Sequence, residues 1–234
     1  IDAVDLNSGE EIGQVGGIPY EFNYNGSKIK ILQSINVCVD KRYRGKKLFK
    51  EMATRLEEYA KTENYSLIVA IANKLATPAW QNSIGLKFLT QLDVLFGYGD
   101  LGLNNLDIND SIFASLWNQQ RLDWRQNNPS NIGSIKREKK VRLSCLSVMS
   151  IFEVFSYVNC NNLDTSNIKK GYNFFLPNLF IGLIPPNSNS SFYFKIPEIF
   201  KPSPLNFLYK NINNENIEIK KDQCFFSYLD FDAY

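Results

Sequence analysis

The stretch that decides the fold runs from Val37 to Phe49 and reads Val-Cys-Val-Asp-Lys-Arg-Tyr-Arg-Gly-Lys-Lys-Leu-Phe. Its first residues end a strand pattern, and from Leu48 onward apolar residues recur at helical spacing. The basic turn between them therefore leads into a helix N-terminus, where backbone N–H groups lack partners and the helix dipole favours negative charge. Such a terminus can bind phosphate. A solvated basic helix start explains the same pattern, and the spacing alone leaves both interpretations open.

Three strands are predicted before this stretch. Ile1–Leu6 and the segment from Ile12 to Tyr24 alternate with period two, and Lys28–Val39 carries apolar residues on one face. Asn25-Gly26 separates the last two strands, and both residues tolerate the positive φ of a tight hairpin turn. The sequence therefore predicts a three-stranded antiparallel meander with one face available to helices.

The pattern after Gly45 predicts two helices and two further strands. An amphipathic helix of about four turns comes first, and the apolar run Tyr65–Ala72 then reads as a buried strand. Thr77 can cap a second helix that Gly85 ends. Phe88–Phe96 follows as the last strand, which gives the order β-β-β-α-β-α-β.

The composition excludes several kinds of chemistry. The 234 residues include 26 Lys plus Arg, 24 Asp plus Glu and no histidine, so the net charge is +2. Without histidine there is no Ser-His-Asp or Cys-His nucleophile, no His-ligated metal and no histidine base. Neither a Walker loop nor a GxGxxG motif occurs, and near-neutral charge gives no reason to expect a nucleic-acid partner.

Cysteine usage and hydropathy suggest a cytoplasmic protein. The four cysteines are scattered without a CxxC pair, so we expect reduced core thiols rather than a metal site or disulfide framework, namely Cys38, Cys145, Cys160 and Cys224. No apolar run reaches the roughly 20 residues that cross a bilayer. The chain starts at Ile1 inside a strand pattern, so we expect an N-terminal piece to be missing.

Two groups of residues resemble motifs of a known family. Tyr43-Arg44-Gly45-Lys46, between a strand and a helix, resembles motif A of the GNAT acetyltransferases. Asn73, followed by a short helix and Ile84–Phe88, resembles motif B. The resemblance covers about residues 1–98. It implies an α/β fold, with a GNAT-like mixed, largely antiparallel sheet flanked by helices, and acetyl-CoA as co-substrate without a metal.

The resemblance also implies a set of acetyl-CoA contacts. Backbone groups of Val37, Cys38 and Val39 would pair with the pantetheine arm, and Asn73 would lie near the thiol end. The pyrophosphate would be held by a run of backbone amides, those of Arg44, Gly45, Lys46, Lys47, Leu48 and Phe49.

Two positions depart from the family pattern. The pattern places small residues three and five positions after Arg44, where this chain has Lys47 and Phe49. Lys47 could crowd the phosphate or supply a cation, whereas Phe49 is easily accepted as a core residue of the helix. Many members place a tyrosine acid where this chain has Gln81, which cannot donate a proton as an acid. Another group, water or substrate must do so, or the site is inactive.

Without histidine, the base for amine attack must be a carboxylate, often acting through water. Glu21, on the strand beside the predicted cofactor strand, and Asp93, on the last strand, are the candidates. Glu21 is placed slightly ahead as the catalytic residue. For either residue, an ordinary surface carboxylate explains the position as well.

The second half of the chain resembles the degenerate partner of tandem GNAT-like proteins. A polar linker at Leu101–Asp110 predicts a division into residues 1–100, the acetyl-CoA-binding domain, and residues 101–234. The resemblance rests on Leu122–Arg125, on Pro129 and on a strand at Leu229–Asp232. Trp124 and Arg125 would line the acceptor cleft, unless Trp124 is simply buried and Arg125 paired with an acid. The charge run Lys136–Lys140 is best explained as a solvated turn before a strand at Val141–Met149.

The resemblance implies an N-acetyltransferase that moves acetyl from acetyl-CoA to the primary amine of a small acceptor by direct attack, with an amino sugar as one candidate. No nucleic-acid or membrane partner is expected, and the oligomeric state is left open. Two alternatives remain. One is a Fem-like transferase that uses aminoacyl-tRNA, against which the near-neutral charge argues, and the other is a non-catalytic binding module.

Overall fold

The computed structural model describes residues 1–99, 101–102, 111–137, 140–146, 151–159, 163–166, 168, 176–185, 192–201, 203–213 and 216–231. The predicted linker, Cys160 and Asp232 lie wholly or largely outside these residues. In chain order the elements are β1 (Asp2–Val4), β2 (Glu11–Tyr24), β3 (Ser27–Val39), α1 (Leu48–Thr62), β4 (Leu67–Ala72), α2 (Ala76–Ile84), β5 (Lys87–Gln91), β6 (Asp93–Gly97), β7 (Phe113–Ser115), α3 (Gln119–Asn127), β8 (Asn131–Arg137), β9 (Lys140–Leu146), β10 (Glu153–Asn159), β11 (Asn178–Leu183), β12 (Tyr193–Lys195), β13 (Asn206–Asn211) and β14 (Cys224–Ser227).

The chain divides into two compact units. Unit 1 comprises Ile1–Phe22, Lys28–Gln91 and Pro202–Ile219, and unit 2 comprises Asn23–Ser27, Leu92–Lys201 and Lys220–Tyr234. These boundaries differ from the predicted division at residue 100, because the first long part of unit 1 ends at Gln91 and a later segment returns to it.

The sheet of unit 1 has the strand order β5-β13-β4-β3-β2, with β1 paired to β2. β3 and β4 are parallel, and β13 is antiparallel to both β4 and β5. Asn25 and Gly26 both have positive φ, at 51° and 79°, which confirms the predicted hairpin turn between β2 and β3. The fold is therefore mixed α/β with largely antiparallel pairing, as predicted.

The predicted single strand Phe88–Phe96 is wrong. The chain breaks at Leu92 into β5 and β6, and the two strands have different partners. β5 pairs with β13 in unit 1, whereas β6 pairs with β11 and β12 in unit 2. A single apolar run in the sequence therefore supplies a strand to each of the two units.

Helices α1 and α2 cover one face of the unit 1 sheet. α1 has 15 residues, which confirms the predicted four turns, and it buries Met52 and Leu56 in a core shared with Leu32, Ile68 and Trp80. Gly85 ends α2 with φ 73°, as predicted. Among the described helices, none is long and apolar enough to cross a membrane.

The described strands of unit 2 form the order β7-β14-β11-β10-β9-β8, with β6 beside β11 and β12 beside β6. Its core is aromatic, built around Phe155, Phe180 and Phe225. The predicted strand at Leu229–Asp232 is wrong in its described part, because Tyr228–Asp230 forms a 3-10 turn that a capping box with Ser227 closes. The charge run Lys136–Lys140 spans the end of β8 and the start of β9, and residues 138–139 lie outside the described part.

The cysteines do not all lie in the core. Cys145 and Cys224 are buried and free, as predicted, whereas Cys38 is exposed on β3, so its predicted core position is wrong. Burial raises the pKa of Cys145 to about 11 and that of Cys224 to about 12, from an ordinary value of 9.0.

The two buried thiols predict a loss of stability in alkali. Above pH 9 the unfolded chain loses thiol protons that the native chain keeps, so the free energy of unfolding falls as pH rises towards 11 or 12. Each thiol contributes up to about 1.4 kcal/mol per pH unit. Urea unfolding at pH 8, 9 and 10 measures the slope, and Cys224→Ala should make it shallower. An unchanged slope in that variant would contradict the assignment.

Candidate functional site

The parallel ladder between β3 and β4 stops before β3 does. Residues Ile31–Ser34 pair with Leu67–Ala70, and β3 then continues to Val39. Within this continuation Asn36 has φ 49°, and the side chains of Val37 and Cys38 are exposed. On the side of β4, no described strand pairs with this continuation, and a strand edge without a neighbour presents unpaired N–H and C=O groups. The edge of β3 after Ser34 can therefore accept an extended ligand.

The open edge leads directly into the loop that begins α1. A 3-10 turn at Lys41–Tyr43 is capped by Asp40, whose side chain accepts a hydrogen bond from the Arg42 N–H at 2.8 Å. Gly45 follows with φ 79°, and α1 starts at Leu48 without a side-chain cap. The first N–H groups of α1 are therefore available to an anion, and the helix dipole favours it.

Lys47 adopts the left-handed conformation, with φ 64°. Non-glycine residues pay about 1–2 kcal/mol for this conformation. The backbone at position 47 therefore has a conformation that glycine adopts more easily than lysine. Phe49 instead turns into the core, where its ring meets Trp80 edge-on at 5.0 Å.

Arg42 binds two carboxylates rather than an anion at the helix start. Its Nη2 lies 3.0 Å from Asp40 and 3.1 Å from Glu10, and these exposed contacts hold the pKa of Asp40 below its usual range, chiefly through the Arg42 hydrogen bond. The Tyr43 hydroxyl donates to Asp5, which raises the pKa of Tyr43. The acidic β1–β2 turn thus anchors the loop. The sequence shows that this turn contains Asp5 and Glu10, but it does not show that they bind Tyr43 and Arg42.

The loop carries further basic side chains besides Arg42. Arg44 is exposed, and its Nε donates to the Val39 carbonyl at 3.1 Å, which holds the side chain beside the open edge. Lys46 lies over the Tyr43 ring, with Nζ 4.6 Å from the centroid. The positive field at the helix start therefore comes mainly from Arg44, Lys46 and Lys47.

Asn73 lies at the end of β4 and caps α2. Its Oδ1 accepts hydrogen bonds from Leu75 N at 3.0 Å and Ala76 N at 2.8 Å. The predicted capping role of Thr77 is wrong, because Thr77 lies inside the helix and its hydroxyl donates to the Asn73 carbonyl. Gln81 is exposed on α2.

Neither candidate base, Glu21 or Asp93, has a described contact with the open edge of β3. Glu21 lies near the hairpin turn and pairs with Lys28 at 2.5 Å. Lys28 and Cys38 are ten residues apart, roughly 30 Å along β3. Asp93 belongs to unit 2, where it pairs with Lys195 at 2.5 Å and Lys221 at 3.5 Å.

Two buried polar side chains stand where the ladder ends, and sequence reasoning missed them. Gln33 is 1% exposed and Ser34 is 6% exposed. Within the described part of the chain, Gln33 Oε1 and Ser34 Oγ have no hydrogen-bond partner. Polar residues in the middle of an apolar strand pattern were the only available signal.

In unit 2, the structure contradicts one predicted alternative for α3, namely that Trp124 is simply buried. Trp124 is half exposed rather than buried, and Arg125 is buried with its guanidinium 4.7 Å from the Trp124 ring centroid. Arg125 donates to the Leu229 carbonyl at 3.1 Å. The neighbouring Arg121 binds the carboxylate of Asp230 at 3.0 Å.

Comparisons with known proteins agree with this geometry. Residues 4–78 match the family model of the acetyltransferase (GNAT) domain. No curated protein matches the chain. A GCN5-related N-acetyltransferase from Kribbella flavida is 10% identical with a TM-score of 0.53, covering 87% of this chain and 58% of its own. A probable N-acyltransferase of unknown function from Enterococcus faecalis V583 is 10% identical with a TM-score of 0.51, covering 86% and 59%.

The chain thus spans less than two thirds of the length of either solved structure. The family match covers the open edge of β3, the loop and α1, and it stops inside α2. Residues 4–78 therefore match the GNAT acetyltransferase domain, and the chain has the fold of the GNAT N-acetyltransferases.

Proposed function

We propose that the protein is an N-acetyltransferase that moves the acetyl group of acetyl-CoA to the primary amine of a small acceptor. The observation that carries the proposal is the open edge of β3 running straight into the free amides at the start of α1. A ligand fits this arrangement if an extended arm binds along the edge of β3 and an adjoining anionic group binds the amides of α1.

The proposed acetyl-CoA contacts follow the chain along that edge. Backbone groups of Val37–Val39 would bind the pantetheine arm. The amides from Gly45 to Phe49 would bind the pyrophosphate, whereas the predicted Arg44 amide already donates to the Lys41 carbonyl at 3.4 Å. Asn73 would lie near the thiol end. Its Oδ1 already caps α2, so its exposed Nδ2 is the group available to a ligand.

The chemistry needs little from the protein. Acetyl-CoA supplies an acetyl thioester that a neutral amine attacks directly, which gives an amide and the free thiol of CoA. The chain's part is to hold the amine beside the thioester and to exclude competing water. Because Glu21 pairs with Lys28 near the hairpin turn, we propose that the amine loses its proton to solvent rather than to Glu21.

The tandem arrangement and the acceptor belong to the same proposal. Unit 2 would be a degenerate second GNAT-like half, and an amino sugar is the first acceptor to try. The exposed thiol of Cys38 suits the reducing cytoplasm, where acetyl-CoA is available.

The test combines binding with turnover. Acetyl-CoA should raise the melting temperature, whereas S-acetylpantetheine, which lacks the pyrophosphate, should not do so at the same concentration. A panel of glucosamine, spermidine and a lysine-containing peptide is then assayed for amide formation by mass spectrometry and for release of the CoA thiol. Binding without transfer would favour a non-catalytic module, and the absence of binding would contradict the proposal altogether.

A further inference from the structure

The side chain of Gln33 has a fixed orientation at the last paired positions of β3. Its Nε2 donates to the Ser34 carbonyl at 3.1 Å. Because only the amide nitrogen can donate to a carbonyl, this bond decides which end of the amide is which. Oε1 therefore points away from the Ser34 carbonyl. In the part of the chain that the structure describes, no hydrogen-bond donor reaches this oxygen.

Gln33 lies on the sheet face opposite the helices. Leu32 on β3 and Ala70 on β4 belong to the core beneath α1 and α2. Successive side chains of a strand alternate between faces. Gln33 therefore projects from the other face, at the point where β3 and β4 cease to pair.

An acceptor oxygen in this position is costly to the fold. Gln33 is 1% exposed, so water cannot freely replace the missing donor. Buried polar atoms are nearly always hydrogen-bonded, and an exception calls for an explanation such as a ligand. A methionine of similar size would fill the same space without this cost.

We propose that Gln33 Oε1 accepts a hydrogen bond from the amine nitrogen of the acetyl acceptor and positions that nitrogen where β3 and β4 part. The inference rests on the proposed acetyltransferase function and adds an acceptor-recognising residue to it. A neutral amide orients the amine but cannot take its proton. Acetylation should accordingly follow the fraction of neutral amine as pH rises.

The decisive variant is Gln33→Met, assayed in the full chain with the amine of the panel that wild type acetylates fastest. Loss of one hydrogen bond should lower kcat/KM for the amine roughly tenfold. The KM for acetyl-CoA should stay unchanged. The melting temperature without ligand should stay within about 2 °C of wild type, because removal of the unsatisfied acceptor offsets the loss of the Nε2 bond to the Ser34 carbonyl. Gln126→Met, which replaces another buried glutamine in unit 2, should leave these kinetics unchanged.

Gln33→Glu supplies a second, independent measurement. The introduced carboxylate keeps an acceptor oxygen and adds a base, so activity should persist and the acid limb of the pH–rate profile should move to lower pH. If Gln33→Met does not fold, this profile alone decides the matter, and an unshifted profile would overturn the inference.

The outcomes separate this inference from the function beneath it. A wild-type protein without an acetyl-CoA shift, or one that binds acetyl-CoA but acetylates no amine, would overturn both. A wild-type protein that acetylates amines, with Gln33→Met unchanged in kcat/KM, would overturn only the role of Gln33. So would a Gln33→Met variant with a lowered melting temperature and an impaired KM for acetyl-CoA, since that pattern marks a purely structural residue.

Discussion

A fragment of residues 1–100 is expected not to fold, although it contains the whole segment that matches the GNAT family model. The reason is β13, which lies between β4 and β5 in the sheet of unit 1. Six residues of β13 pair with β4, and the described pairing of β5 is with β13. Without β13, the buried strand β4 loses one neighbour and β5 loses its place in the sheet.

The energetic loss is large compared with the stability of a domain. β13 and the residue after it bury Phe207, Leu208, Tyr209 and Ile212, each at most 8% exposed. Burial of a large apolar side chain contributes about 1.5–3 kcal/mol, so these four contribute roughly 6–12 kcal/mol. The net stability of a domain is about 5–15 kcal/mol. The fragment should show no cooperative unfolding transition in circular dichroism.

A fusion of residues 1–91 to residues 203–219 through a flexible linker is the matched control, since it restores β13 without unit 2. It should regain a cooperative transition. In the intact chain, Leu208→Ala should lower the free energy of unfolding by about 2–5 kcal/mol. A cooperatively folded 1–100 fragment would show that β13 is dispensable and that unit 1 ends where the sequence suggested.

The sequence predicted local elements well and long-range neighbours poorly. The hairpin turn at Asn25-Gly26 and the helix after Gly45 follow from local backbone preferences and from periodicity, which adjacent residues determine. The break at Leu92 and the insertion of β13 depend on strands that are far apart along the chain, since β5 pairs with β13 and β6 pairs with β11. Nothing in the local pattern of Phe88–Phe96 distinguishes one long strand from two strands in different units.

The same limit applies to the candidate site. The loop from Asp40 to Leu48 was predictable, because a basic turn before an amphipathic helix defines a helix N-terminus. The pairing of Arg42 with Glu10 was not, since it joins two turns that only the folded sheet brings together. Gln33 was overlooked for a related reason, because its importance arises from burial at the end of a ladder rather than from a motif.

Arg44→Glu is expected to remove most of the stabilisation that acetyl-CoA gives. Arg44 is exposed and held beside the open edge, close to the amides that would bind the pyrophosphate. A unit charge pair at about 4 Å is worth about 1 kcal/mol in water and about 4 kcal/mol near a protein surface. Reversal of the charge changes the interaction by two such units, so affinity should fall by roughly thirtyfold or more.

The thermal shift follows from this affinity. Ligand at one hundred times the dissociation constant stabilises by about 2.7 kcal/mol, and a thirtyfold weaker site retains about 0.9 kcal/mol. For a chain of this size 1 kcal/mol corresponds to about 2–4 °C, so a wild-type shift of roughly 5–10 °C should fall to about 3 °C or less.

Arg55→Glu is the matched control, because Arg55 is exposed on the same helix and lies about 10 Å farther along it than Leu48. An equal loss in both variants would indicate a general effect of charge, and an undiminished shift in Arg44→Glu would remove the loop as the pyrophosphate site. A loss confined to Arg44→Glu locates the anion at the start of α1, because the two variants carry the same net charge and differ only in where that charge stands.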